Sequence, residues 1–250
     1  MSLAGKHALV TGGGSGIGLD IARMLSAEGC LVTITGRRQT ALDAAAAGSI
    51  HGMTMDVRDE EDVISTIAAA VEARGPLQIC VANAGIAEGR ALHKTDLKFW
   101  RNMMATNLDG AFLTIRESLT SMRQTDWGRV IAISSIAGLR GLQGASCYTA
   151  SKHGLVGLIR ALSEDYLGKP FTFNAVCPAY VDTPIVTRNT LSIAERAGVS
   201  EAEAQAIMVS ANRHNRLISP QEVSSAVKWL VSPASESVNG QAIEIAGGQM

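Results

Sequence analysis

The chain of 250 residues is 46% hydrophobic and 18% charged, which is enough apolar material for one large core, and no Pro-, Ser- or charge-rich linker divides it. A formal net charge of -1, with Lys and Arg scattered singly or in pairs, sets up no field to gather polyanions and argues against a nucleic acid partner. No stretch approaches the roughly 18 uninterrupted apolar residues of a membrane span, and the amino end lacks the apolar core of a signal peptide, so the expectation is a soluble, cytoplasmic protein with no membrane partner.

The run His7-Ala8-Leu9-Val10-Thr11 is followed at once by Gly12-Gly13-Gly14-Ser15-Gly16-Ile17-Gly18 and then by a helical pattern at Ile21, Ala22, Met24 and Leu25. This reads as strand, glycine turn, helix. Glycines in such a turn let the backbone bend sharply and let a pyrophosphate approach the amino end of the helix, where unpaired N–H groups and the dipole favour an anion. The alternative is a plain tight turn. The second strand, Leu31 to Thr35, ends in Gly36-Arg37-Arg38. In a dinucleotide fold an acidic residue at this point binds the 2'-hydroxyl of NAD, whereas an Arg accommodates the 2'-phosphate of NADP. No Asp or Glu stands between Leu31 and Thr40, so Arg37, with Arg38 beside it, favours NADP, with NAD as the alternative.

The pattern repeats with a strand Gly52 to Met55, Asp56-Val57 beyond it, a helix from about Glu60 to Ala73 capped by Asp59, and a strand Leu77 to Ala82. That strand ends in Asn83-Ala84-Gly85, small enough to let the chain pass close to a ribose. A long amphipathic stretch follows from about Asp96 to Met122, with Trp100, Met103 and Phe112 assigned to core or subunit packing. Asn107 is the exception, since an amide inside an apolar helical face needs buried partners. The fifth strand, Arg129 to Ile133, delivers Ser134 and Ser135 at its carboxyl end.

Tyr148 and Lys152 are four apart at the start of an apolar helical stripe, Leu155, Val156, Leu158, Ile159 and Leu162, and so share one helix face. A phenol with a reference pKa of about 10 is a poor base at neutral pH, and an ammonium one turn away stabilises its phenolate. Such a Tyr can exchange a proton with a hydroxyl while Ser135 holds the substrate oxygen. By itself, Tyr-x-x-x-Lys also arises by chance in many helices. The sixth strand, Phe171 to Cys177, is stopped by Pro178, and Val181-Asp182-Thr183-Pro184 leads into an Ala- and Glu-rich helical segment that reads as a substrate lid at about 185–215. A helix Pro220 to Leu230, capped by Ser219 with Glu222 close behind, and a last strand Ala242 to Ile245 complete the chain. Cys30, Cys80, Cys147 and Cys177 are too widely spaced for a zinc site, so no metal is expected and they read as small buried hydrophobes. The alternation predicts an α/β fold: one domain over 1–250, a Rossmann-like, doubly wound parallel sheet of about seven strands with helices on both faces, and ligand at the carboxyl ends of the strands.

Together these residues closely resemble the short-chain dehydrogenase/reductase family over essentially the whole chain. Its cofactor motif is matched by Thr11, Gly12, Gly16 and Gly18, its Asn-Ala-Gly by Asn83, Ala84 and Gly85, and its catalytic tetrad by Asn107, Ser135, Tyr148 and Lys152. The resemblance implies a cofactor site of Gly12, Ser15, Gly16, Ile17, Gly18, Arg37, Asp56, Val57, Asn83, Ala84, Gly85, Tyr148, Lys152, Pro178, Val181 and Thr183, with Asp56 and Val57 by the adenine and Thr183 on the nicotinamide carboxamide. It implies that Tyr148 is the general acid/base, that Lys152 lowers its pKa and holds the ribose, that Ser135 positions the carbonyl and that Asn107 keeps a relay water. Ala179 follows Pro178 where the family commonly has Gly, which narrows the floor under the nicotinamide. A homotetramer built on the long helices is also implied.

The segment from Thr183 to Val223 is similar to the lid of 3-hydroxybutyrate dehydrogenases, but the Gln, His and Lys that clamp the free carboxylate there correspond to Ala87, Ala137 and Ala145 here. Three lost polar ligands are worth several kcal/mol. The expected substrate is therefore a 3-oxoacyl-like thioester or hydrophobic ketone, interconverted with its secondary alcohol, and Arg140 stands where it could meet a phosphate of a carrier arm. The alternatives are an NAD-dependent 3-hydroxybutyrate-type dehydrogenase and a non-catalytic nucleotide-binding regulator.

Overall fold

Short apolar strands alternate with helices along the whole chain, and the computed structural model describes residues 2–248, apart from the side chains at 192, 196 and 197; the expected domain range thus extends beyond the described residues at Met1, Gln249 and Met250. In order the elements are β1 (His7–Thr11), α1 (Gly16–Ala27), β2 (Leu31–Gly36), α2 (Gln39–Ala45), β3 (Ile50–Thr54), α3 (Glu60–Arg74), β4 (Leu77–Ala82), α4 (Leu97–Met104), α5 (Gly110–Met122), β5 (Gly128–Ile133), α6 (Ser146–Asp165), β6 (Phe171–Pro178), α7 (Pro184–Ala197), α8 (Glu201–Ala211), α9 (Pro220–Leu230) and β7 (Ala242–Ile245).

The seven strands form one sheet in the order β3-β2-β1-β4-β5-β6-β7, with every pairing parallel. Successive strand residues feed opposite faces. Val10 and Ile131 join Ile21 and Leu25 of α1 and Val227 of α9, whereas Val130 and Phe173 join Ile115 and Leu119 of α5 and Ile159 of α6. Both faces are covered, which explains why the central strands read as continuous apolar runs rather than alternating ones. The winding reverses between β1 and β4, so the crevice outside their carboxyl ends is the topological switch point where such sheets take a ligand.

The caps expected from sequence are present: the Asp59 side chain accepts from the backbone N–H groups of Glu61 and Asp62, and Ser219 and Glu222 form a reciprocal capping box on α9. Two expectations change. The amphipathic stretch is not one helix, because a π turn at Ala105–Asp109 separates α4 from α5. The helical segment after Pro184 is broken at Gly198, which takes a left-handed φ of 67° as the cap of α7, and Ser200 with Glu203 boxes the start of α8. The short helix α2, between β2 and β3, carries too few apolar positions to stand out in the sequence.

Candidate active site

At the switch point the ends of β1 and β4 are tied together. The Thr11 hydroxyl accepts from the backbone N–H groups of both Asn83 and Ala84 at 3.0 Å, and the Asn83 amide donates back to the Thr11 carbonyl at 2.8 Å. The glycine turn is pressed against this tie. Gly12 and Gly16 have φ of 66° and 54°, and a Cβ at Gly18 would lie 2.5 Å from both Asn83 Nδ2 and the Gly12 carbonyl oxygen. A Cβ at Gly16 would approach Thr183 to 3.3 Å, so the amino ends of α1 and α7 face each other across the turn. Ser15 is extended and its side chain makes no cap bond to α1. This backbone cradle, with helix N–H groups open to an anion, fits the diphosphate of a dinucleotide.

The remaining cofactor candidates surround it. Arg37 is exposed just past the end of β2. Asp56, beyond β3, is gripped by Arg58 at 2.6 Å, and that hydrogen-bonded pair, helped by the charge of Arg37, holds its carboxyl below the usual carboxylate range. Val57 is buried, and a Cβ at Gly110 would come to 2.7 Å of its side chain. Gly85 passes so close to the tetrad that a Cβ there would be 3.3 Å from Asn107 Oδ1 and 3.6 Å from Lys152 Nζ. Pro178 ends β6, and Val181 bridges to Ile218.

The four tetrad candidates converge at the carboxyl edge. Ser135 follows β5 directly, and its hydroxyl is hydrogen-bonded to the Tyr148 phenol. Lys152, buried on α6 one turn beyond Tyr148, donates to the Ile133 carbonyl at 2.9 Å, with its Nζ 5.9 Å from the centre of the Tyr148 ring. Asn107 lies inside the π turn, where its amide donates to the Ile86 carbonyl at 2.9 Å and to Ser151 Oγ at 3.1 Å. In the protein alone, burial pushes the Tyr148 phenol up, opposed by the Ser135 hydrogen bond, and pulls the Lys152 ammonium down to about 8. Desolvation therefore outweighs the Ser135 hydrogen bond at Tyr148. The arrangement joins a proton donor, a carbonyl-sized hydrogen-bonding position and a buried cation beside the nucleotide cradle, which is what proton transfer to a reducing carbonyl requires.

Of the substrate-side residues, Ala137 is buried in the short turn after Ser135, Ala87 and Ala145 are half-buried, and Arg140 is exposed, its charge reaching the phenol of Tyr180. A groove lined by Thr183, Pro184, Thr187, Arg188 and Leu191 runs along α7. All four cysteines are free and buried. Sequence reasoning missed Arg58, whose signal was its place two residues after Asp56, and Ser151, which gives Asn107 its third polar contact. It also missed Tyr180 and Asn212: the Asn212 amide, wholly buried at the end of α8, accepts from the Tyr180 N–H at 3.0 Å and donates to its carbonyl at 2.9 Å.

The chain is similar over nearly its whole length to several known proteins. A solved structure of a tryptophan point variant of actinorhodin polyketide ketoreductase with NADPH superposes with a TM-score of 0.94 at 35% identity, covering 97% of this chain and 96% of that one. The D-beta-hydroxybutyrate dehydrogenase of Cupriavidus necator is 34% identical over 98% of both chains. The 3-oxoacyl-[acyl-carrier-protein] reductase MabA of Mycobacterium bovis is 32% identical over 97% of this chain and 92% of its own. With the sequence model of short chain dehydrogenases matching residues 6–193, the chain belongs to the short-chain dehydrogenase/reductase family, NAD(P)-dependent oxidoreductases that act on CH–OH groups.

Proposed function

We propose that this enzyme is an NADP-preferring ketoreductase whose substrate is a 3-oxoacyl thioester or a similarly hydrophobic ketone. The observation that carries the reading is the convergence of Ser135, Tyr148, Lys152 and Asn107 beside the Gly12 to Gly18 cradle. The nicotinamide cofactor, when bound, supplies or takes up the hydride. In the reductive direction Ser135 holds the carbonyl oxygen, the Tyr148 hydroxyl gives it a proton as the alcohol forms, and Lys152 stabilises the phenolate left behind. Asn107, fixed by Ile86, keeps the route for reprotonation. Arg37 takes the 2'-phosphate, Thr183 the carboxamide, and the helices α7 and α8 form the lid.

Ala87, Ala137 and Ala145 leave no side-chain ligands for a free carboxylate at those positions, which speaks against the 3-hydroxybutyrate alternative. The complete proton-transfer set speaks against a non-catalytic regulator. Trp100 on α4 and Phe112 on α5 are exposed apolar surface on the long-helix side, consistent with a homotetramer. Among the described residues no helix is long and apolar enough to cross a membrane.

The test is the initial rate with NADPH and with NADH on an acetoacetyl thioester and on free acetoacetate. Turnover of the thioester with NADPH, and little with the acid or NADH, is the expected result. Fast turnover of free acetoacetate with NADH would overturn both the substrate and the cofactor assignments.

A further inference from the structure

Three successive residues at the end of β5 each hold a different point of one turn of α6. The Ile133 carbonyl accepts from Lys152 Nζ at 2.9 Å, the Ser134 hydroxyl donates to the Lys152 backbone carbonyl at 3.2 Å, and the Ser135 hydroxyl is hydrogen-bonded to the Tyr148 phenol. The middle contact has no part in the proton-transfer set described above. Ser134 is buried, and its backbone extends the sheet by one residue, its N–H donating to the Val176 carbonyl at 2.8 Å. The hydroxyl is therefore carried on the rigid edge of the sheet. Neither element needs the bond for its own backbone ladder, because Lys152 lies inside α6, where the helix itself provides a partner for its carbonyl. A buried hydroxyl costs desolvation unless it is bonded, so Ser134 is retained for what it joins.

The turn after Ser135 is built around the same contact. Gly138 closes it, its N–H donating to the Ser135 carbonyl at 2.8 Å, and a Cβ there would lie 2.6 Å from Ser134 Oγ, 2.8 Å from the Lys152 carbonyl oxygen and 2.9 Å from the Val156 side chain. Strand, turn and helix thus meet at the Ser134–Lys152 bond with no room for a methyl group. That bond also differs in kind from the one Ile133 makes. Ile133 holds the ammonium at the end of a flexible four-carbon stem, whereas Ser134 holds the backbone from which the stem starts.

Resting on the proton-transfer roles given in the ketoreductase reading above, we propose that Ser134 is a positioning residue, whose hydroxyl fixes the depth at which α6 sits against β5 and so sets both the approach of the Tyr148 phenol to Ser135 and the reach of Lys152. It acts through those residues and not on the substrate. Gly138 leaves the space in which the bond is made. Small displacements suffice for an effect, since about 1 Å of misplacement in a catalytic constellation costs about 10²-fold in rate.

The experiment compares the wild type with Ser134→Ala, Gly138→Ala and Ile159→Val, using an acetoacetyl thioester with NADPH in light and heavy water, with NADPH binding followed by fluorescence and folding by thermal denaturation. Ser134→Ala deletes one atom and adds none, so the fold is expected to survive it. Gly138→Ala wedges the contact open with the hydroxyl still present, and Ile159→Val loosens the buried packing of the same helix about two turns beyond Lys152. Ser134→Ala is expected to lower kcat about tenfold, to leave KM for the thioester and the dissociation constant for NADPH within about twofold, and to raise the solvent deuterium isotope effect on kcat as proton transfer slows. Gly138→Ala, wherever it folds, is expected to show the same pattern with a larger loss, and Ile159→Val to lower the denaturation midpoint while keeping kcat. Wild-type kcat in Ser134→Ala, a loss of kcat that Ile159→Val shares, or a loss that falls on NADPH affinity instead overturns the inference while leaving the ketoreductase reading in place. A wild type that binds NADPH but reduces neither the thioester nor 2-heptanone overturns that reading, and the inference with it.

Discussion

The Asn107 side chain and the backbone of Ile86 exchange two hydrogen bonds, Oδ1 accepting from the Ile86 N–H at 2.8 Å and Nδ2 donating to its carbonyl at 2.9 Å. The segment after β4 is thereby locked to the π turn that interrupts the long helix. Replacing Asn107 by Ala strands two buried backbone groups and is expected to lower stability by about 1–3 kcal/mol. Its effect on turnover exceeds that, because the segment beside Lys152 loses its anchor. Urea denaturation and the rate at saturating NADPH check both, and Asn107→Asp, which keeps the acceptor only, is expected to fall between.

Gly18 is committed by its neighbours rather than by its own φ. A methyl group there would sit 2.5 Å from Asn83 Nδ2 and the Gly12 carbonyl oxygen, inside any permissible contact. Gly18→Ala must displace the tie between β1 and β4, and overpacking of this kind typically costs about 1–3 kcal/mol. The expected signature is a lower denaturation midpoint together with weakened NADPH binding. Gly48→Ala is a control for added volume, since nothing lies within 4 Å of a Cβ at Gly48, although its φ of 58° strains the backbone locally.

The strands, the glycine turn and the caps at Asp59 and Ser219 were legible because each depends on short-range sequence, an apolar run, a glycine cluster or a cap three residues from its partner, whereas the tetrad was read through the resemblance to the family. What stayed hidden has two origins. The break at Gly198 was written in the sequence, as a glycine followed by Ser200 and Glu203, but was outweighed by the helix-forming residues on either side. The π turn and the Asn212 clamp were not, because the groups that require them, Ile86 for Asn107 and Tyr180 for Asn212, lie 21 and 32 residues away. Buried amides reveal their partners only when the chain is folded.

In the proposed function Arg37 is the residue that sets the cofactor preference. It is solvent-exposed and its charge is felt by Asp56, so a 2'-phosphate beside it would gain a charge-assisted bond that a 2'-hydroxyl does not need. Arg37→Leu is expected to raise KM for NADPH by about 10- to 100-fold and to change KM for NADH little. Equal effects on the two cofactors would remove Arg37 from the 2'-phosphate site.

His7 makes the fold sensitive to mild acid. Its ring is buried in β1, with Nδ1 donating to the Gly75 carbonyl at 2.7 Å and Nε2 next to the Thr33 hydroxyl at 2.9 Å. Burial holds its pKa below the ordinary 6.5, the Gly75 bond opposing and the charge of Arg74 adding to the depression. The unfolded chain therefore binds a proton near 6.5 that the folded chain still refuses, and stability falls as pH drops below about 6.5 towards the folded pKa. His7→Gln should flatten that part of the profile relative to the wild type. Denaturant unfolding between pH 5 and 8, on both proteins, measures the difference.

Lys152 titrates at the upper end. Burial brings its ammonium down to about 8 from an ordinary 10.5, while it is held on the Ile133 carbonyl beside Gly85. Between those values the unfolded chain binds a proton that the folded chain has released, so folding stability rises with pH in this window. Cofactor binding should move the other way. A charged Lys152 can offer the nicotinamide ribose a charge-assisted hydrogen bond and a neutral amine cannot, and the 2'-phosphate, whose second ionisation lies near about pH 6, is already fully charged. The dissociation constant for NADPH is expected to rise about tenfold as pH passes through about 8, and to be weak and flat in Lys152→Met, a variant that also loses turnover. Fluorescence titration of NADPH from pH 6.5 to 9.5 on both proteins decides it: a wild-type constant independent of pH would mean that binding leaves the proton occupancy of Lys152 unchanged, and that its charge contributes nothing to holding the ribose.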